Sequence, residues 1–173
     1  MPPSPTLTSL AAAVLHVGDP ERILEVECGE GEGTLFLARE FPRARVRGID
    51  RSAEAVRHAV DRVGLDPEGR VAFKQGGPGS LPFPDDQFDL LTAIDAQPRA
   101  AEAARVLRPG GFLALAASRG PEVLPGLRGG LYRWRLARLA FTPIWTQPAG
   151  DGSFFVARLR DGVAPGLGGE STI

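Results

Sequence analysis

The residues with the most chemical potential crowd into one short stretch, ILEVECGEGEGTLFLA (23–38). Gly29, Gly31 and Gly33 alternate with Glu30 and Glu32, and Glu25 and Glu27 stand just before them. A glycine turn after an apolar run lets the backbone bend sharply and a ligand come close, with the free N–H groups of a following helix facing it. A dinucleotide fingerprint requires a third glycine where Thr34 stands. The carboxylates of Glu27, Glu30 and Glu32 would repel a phosphate, whereas a ligand with cationic character is tolerated there. Asp50 lies about 20 residues beyond the turn, the place from which a carboxylate accepts hydrogen bonds from ribose hydroxyls. Turn and acid together fit an adenosine-bearing cofactor that lacks phosphates.

The elements that must position these groups follow from periodicity. Leu7 to Val17 is predicted to be a helix, with Thr6 or Thr8 as its N-cap. RILEV reads as a buried parallel strand, Thr34 to Phe41 as a helix stopped by Pro42, and ARVRGID (44–50) as a second strand. Ser52 caps a helix closed by Gly64, RVAFKQ (70–75) is a third strand and FDLLTAI (88–94) a fourth. GGPGSLPFPDDQ between them is a loop. RAAEAARVLRPGG reads as a short helix stopped at Pro109, and FLALAAS (112–118) as a fifth strand. The second half of LPGLRGGLYRWRLARLAF looks helical, and TPIWTQ and SFFVARLR look like a hairpin closing the sheet. The expectation is an α/β, doubly wound, Rossmann-like fold: a mainly parallel seven-stranded sheet with a C-terminal antiparallel hairpin. One domain over 1–160 is expected, with a mobile tail over 161–173. Ligands of such sheets sit beyond the carboxyl ends of the strands, at the switch point.

Composition bounds the function. The chain has 173 residues, 43% of them hydrophobic, enough for one domain with one sizeable core. A net charge of -1 offers no global field for nucleic acid, which is not expected as a partner. The single cysteine, Cys28, excludes an internal disulfide framework and any multi-cysteine zinc site. Pro and Ser fill the opening where a secretory signal would be basic, no apolar run approaches the ~18 residues of a membrane span, and the cytoplasm is the expected compartment. Cys28 reads as a packing residue, and His16 and His58 lack metal-ligand spacing. Asp85, Asp86 and Asp89 read as a solvated turn. In LYRWRLARL (131–139), arginines interleave with Tyr132 and Trp134, as in a helix that grips RNA or a membrane surface. The favoured reading is an amphipathic helix packing Leu131, Trp134 and Leu139 on the sheet with its arginines outward.

Taken in order, ILEVECGEGEGT, VRGIDRS, LPFPDDQFDLL and AARVLRPGGFLAL resemble the motifs of the class I S-adenosylmethionine-dependent methyltransferases, in particular the small-molecule type with the LPFPD segment, over residues 23–117. The resemblance implies that Glu25 reaches the amino group of S-adenosylmethionine and that the backbone at Cys28, Gly29 and Gly31 follows its methionine portion. It implies that Asp50 holds the ribose hydroxyls, that Arg51 covers one adenine face, and that Ser80 and Leu81 lie at the adenine edge. Ile94 and Asp95 would sit near the sulfonium and the acceptor. No general base is implied, because orientation alone supplies roughly 7–11 kcal/mol to such a transfer.

The pattern departs from the family in three places. Glu27 replaces the first loop glycine, Gly77 replaces an adenine-binding aspartate, and DAQPRAAEA is too short to hold the family's acceptor lid. Two functions therefore stand side by side: methyl transfer to an unidentified small-molecule or macromolecular acceptor, or a methyltransferase-fold binding or interaction module without catalysis. A partner that supplies the lid, or a homodimer, is expected under the first.

Overall fold

The computed structural model describes residues 5–161. Its strands are β1 (Arg22–Val26), β2 (Arg45–Asp50), β3 (Val71–Gln75), β4 (Phe88–Ile94), β5 (Leu107–Ala117), β6 (Phe141–Ala149) and β7 (Gly152–Leu159). They form one seven-stranded sheet in the order β3-β2-β1-β4-β5-β7-β6. β1 to β5 are parallel, while β7 runs antiparallel to both β5 and β6. This is the doubly wound sheet with a terminal hairpin that the periodicity predicts. Its switch point lies between β1 and β4, where the strand order reverses.

The helices are α1 (Thr8–Val14), α2 (Glu32–Glu40), α3 (Ala53–Val63), α4 (Ala100–Val106) and α5 (Gly126–Arg138). Alternation along each strand sends side chains to two apolar layers. Leu24, Val26, Leu91 and Ala93 join one core with residues of α4 and α5, and Ile23, Val46 and Leu90 join another with residues of α1 and α2. Both faces of the central strands are thus buried, which is why those strands read as unbroken apolar runs.

Ser52 caps α3 as expected, its hydroxyl accepting from the N–H of Ala55 at 3.2 Å. Three expectations need correction. The cap position of α1 is Leu7, which makes no side-chain cap bond, so neither Thr6 nor Thr8 serves there, and the helix ends at Val14 before the predicted Val17. α4 ends at Val106, before Pro109, and β5 starts at Leu107 and runs through the Pro-Gly-Gly segment. The reason is pairing with β4: Leu107 stands beside Phe88, Gln87 N–H donates to Val106 O at 2.8 Å, and Arg108 pairs with Asp89 at 3.1 Å. Of the three residues expected to pack from α5, Leu139, just past its end, is partly buried against the core, but Leu131 and Trp134 face outward and Gly129, Tyr132 and Leu136 are buried in their place. The expected mobile tail lies, apart from Asp161, outside the described residues.

Candidate functional site

β1 delivers its last residues to the switch point, and the turn that follows is built from left-handed backbone. Glu27, Gly29 and Gly31 have φ of 58°, 53° and 82°. Glycine adopts this region freely, whereas a residue with a β-carbon resists it by roughly 1–2 kcal/mol. Glu27 therefore holds a backbone conformation that favours glycine. The turn is closed by Gly31 N–H donating to Cys28 O and by Cys28 N–H donating to Ile49 O, both at 2.9 Å. Gly31 then stands at the N-cap of α2.

Glu25 points from β1 towards that helix and is 2% exposed. Its carboxyl accepts from the hydroxyl of Thr34 and lies against the α-carbon of Gly33, where a side chain would collide with it. Burial pushes its pKa up to about 7. The Thr34 hydroxyl and backbone N–H pull the other way, and the charges of Asp50 and Glu32 add to the rise. The Cys28 thiol is pushed up to about 12, by burial first and then by the Glu25 and Asp50 charges, so it is no thiolate nucleophile at neutral pH.

One strand over, Asp50 braces the turn. Its Oδ2 accepts from Gly29 N–H and its Oδ1 from Ser52 N–H, each at 2.9 Å. Arg51 reaches back to Glu27, with Nε 2.9 Å from Oε1. Arg51 Nη2 also donates to Glu27 Oε2 at 3.4 Å, while Oε1 is within ion-pair distance but buried without a hydrogen bond among the described residues. A β-carbon at Gly77 would stand 3.2 Å from the Arg51 side chain, and Gly77 makes an isolated bridge with Ser80. Leu81 sends its side chain into the core, while its N–H donates to Glu102 at 2.7 Å and its carbonyl accepts from Arg105 at 2.9 Å.

Beyond β4, Asp95 adopts φ of 53°. Its carboxylate is held by Ser118, the hydroxyl donating at 2.6 Å and the N–H at 2.8 Å. Between the ends of β1 and β4 opens a cavity of about 360 Å³, and its lining includes Glu25, Glu27, Cys28, Gly29, Ile94 and Asp95. With Glu30 and Glu32 the lining carries five carboxylates, against one guanidinium, Arg62, already paired with Glu30 at 3.0 Å. A phosphate has no place there, and a cationic centre does.

Residues 23–111 match the model of the methyltransferase domain. The chain belongs to that family. Among relatives, it is 37% identical over 99 residues to a fatty-acid O-methyltransferase of Mycolicibacterium smegmatis, covering 53% of this chain and 35% of the relative. To a ubiquinone/menaquinone biosynthesis C-methyltransferase of Syntrophotalea carbinolica it is 34% identical over 130 residues, covering 71% and 54%. The chain spans between about a third and a little over half the length of these curated relatives. The fold superposes on an S-adenosylmethionine-dependent methyltransferase from Aquifex aeolicus with a TM-score of 0.71 at 20% identity, covering 92% of this chain and 94% of that one.

In this methyltransferase domain the cavity joins six of the twelve residues singled out in the sequence. Gly31, Asp50, Arg51, Gly77, Ser80 and Leu81 continue from it along the β2 and β3 ends through the bonds described above. Sequence reasoning missed Thr34 as the partner of Glu25, although a hydroxyl at the first turn of the helix facing a strand acid was a usable signal. It also missed Ser118, Arg62 and the cavity-lining Thr6 and Leu7. Those four come from elements distant in sequence, and only the pairing of β4 with β5 brings Ser118 to Asp95.

Proposed function

We propose that the chain binds S-adenosylmethionine across this cavity and directs its methyl group to an acceptor that approaches from the β4 side. The observation that carries the reading is the acidic cavity at the switch point, framed by left-handed glycines and braced by Asp50. The donor set fits the group: the carboxylates favour a sulfonium and an ammonium over any phosphate. When bound, the group would supply an activated methyl on a cationic sulfur.

The chain's own residues would bind and orient. The backbone at Cys28, Gly29 and Gly31 would follow the methionine portion, with Glu25 accepting from its amino group. Each oxygen of Asp50 spends one lone pair on a backbone N–H, which leaves a second for ribose hydroxyls. Arg51 would cover the adenine, and Ser80 with the backbone of Leu81 would border its edge near Gly77. Ile94 and Asp95 would flank the transferred methyl, Ser118 holding the Asp95 carboxylate still. The β4 to α4 link is too short to close this side. The acceptor is therefore large, or a partner chain or second copy covers it; the Haloferax volcanii neighbour of this fold is itself seen in complex with a methyltransferase activator, Trm112.

Glu27 favours a second reading, a binding module without catalysis, because its paired side chain borders the space meant for the amino acid end of the cofactor. Calorimetric titration with S-adenosylmethionine and S-adenosylhomocysteine separates the two. The unaltered chain is expected to bind both, Glu27→Gly to bind them more tightly, and Asp50→Asn, which keeps one acceptor oxygen, to bind roughly tenfold more weakly. Heat only in Glu27→Gly, with none in the unaltered chain, would establish the module and end the enzymatic reading.

A further inference from the structure

α5 carries large apolar side chains on both its buried and its exposed face. Tyr132 and Leu136 are buried against the sheet, but Leu127, Leu131 and Trp134 on the opposite side are 92%, 47% and 55% exposed. Spaced by four and then three residues, these three stack on one line of the helix, and Arg138 continues it four residues on. The Arg138 guanidinium lies 5.1 Å from the centre of the Trp134 ring. Arg128 and Arg135 flank the line, and α5 contains no carboxylate.

Beside this face, between α5 and the start of α4, lies a groove of about 650 Å³. Arg99, Arg135 and Arg138 line it with Tyr132 and Trp134, and no carboxylate does. None of those three arginines has an ion pair among the described residues. A chain of net charge -1 has thus gathered unpaired guanidinium groups and exposed large apolar side chains on one surface.

From this we infer that the outer face of α5 docks on an anionic lipid bilayer. A helix lying in the plane of a membrane places Trp and Leu at the headgroup boundary with arginines at the phosphates, and this face supplies that combination. The groove gives an anionic headgroup a cationic seat beside it. RNA would use the arginines and the Trp134 ring, but it offers nothing to Leu127 and Leu131. A second copy of the chain is disfavoured by symmetry, since a two-fold contact would set arginine against arginine. The inference rests on α5 and the groove beside it, and stands whether or not the cavity at the switch point holds a cofactor.

Co-sedimentation of the full chain with phosphatidylcholine vesicles, with and without phosphatidylglycerol, tests it. Binding is expected only with the anionic lipid and should weaken as salt is raised. Arg135→Ala with Arg138→Ala should lower that partition roughly 30-fold, about fivefold for each guanidinium. Leu131→Glu should abolish it while leaving the melting temperature unchanged, because the side chain touches water. In Trp145→Phe, which leaves Trp134 as the sole tryptophan, the emission should shift to the blue when anionic vesicles are added. The inference is overturned if the chain ignores anionic vesicles, binds neutral ones equally well, or binds undiminished after Leu131→Glu. It is overturned equally if Leu131→Glu dissolves a dimer, or if the arginine pair is needed for retention on RNA and not on lipid.

Discussion

Glu25 shows how one buried acid joins stability to binding. Its folded pKa of about 7 stands above the ordinary 4.5, so the folded state prefers the protonated form. The contribution is favourable below the unfolded pKa and is lost as pH rises from about 4.5 to 7, beyond which it stays flat. A shift of this size corresponds to roughly 3 kcal/mol between the two ends of that window. Glu25→Gln keeps an acceptor for the Thr34 hydroxyl and removes the titration. We expect the variant to gain stability relative to the unaltered chain above pH 7 and to match it near pH 4, as read from urea unfolding at several pH values. A parallel pH dependence in both proteins would mean that Glu25 titrates in the fold as it does in the unfolded chain. Glu27 is the contrasting case two residues on: its side chain is only 18% exposed and lies 2.9 Å from Arg51, yet its Oε1 is buried without a hydrogen bond among the described residues, so its cost combines desolvation with a left-handed backbone.

At the scale of elements, the loop after β1 is held from three sides, and its glycines serve that packing as much as any ligand. A β-carbon at Gly31 would stand 2.7 Å from the Phe73 ring and 3.1 Å from the β-carbon of Ala59, in a backbone conformation that already disfavours it. Gly31→Ala should therefore cost roughly 2 kcal/mol, a fall of about 4–8 °C in melting temperature for a chain of this length. A β-carbon at Gly130, inside α5, would meet nothing within 4 Å outside the helix's own backbone, and Gly130→Ala should stabilise by up to about 1 kcal/mol. If both substitutions shifted the melting temperature alike, the loop would not be packed against β3 as described. The same contrast explains what was legible in the sequence. β1 and β4 coincide with their apolar runs, because full burial on both faces leaves one pattern only. The packing side of α5 is not legible because Leu127, Leu131 and Trp134 lay a second apolar line among the arginines of its outer face, so periodicity does not say which side meets the sheet. α4 was overextended because proline was read as the stop, when pairing of Leu107 with Phe88 had already drawn the chain into β5.

For the whole molecule, the sheet divides into a protected centre and an open flank. β1, β4 and β5 have neighbours on both sides, whereas β6 closes the order and carries side chains exposed along nearly its whole length. Pro143 and Pro148 lie on that edge strand, where missing N–H donors blunt further pairing. Amide exchange should reflect this: β1 and β4 amides exchange only through global unfolding, and β6 amides through local opening of the hairpin at a much smaller free energy. The site sits at the centre, between β1 and β4, while the hairpin lies beyond β5. S-adenosylhomocysteine at about 100 times its Kd adds roughly 2.7 kcal/mol to every amide that needs global unfolding, and it leaves locally opening ones unchanged. Extra protection should therefore appear over residues 23–33 and 88–95 and be absent over β6. Protection that rose on β6 alone would place the ligand on the wrong side of the sheet, whereas a uniform rise would mean that hairpin and centre unfold as one unit.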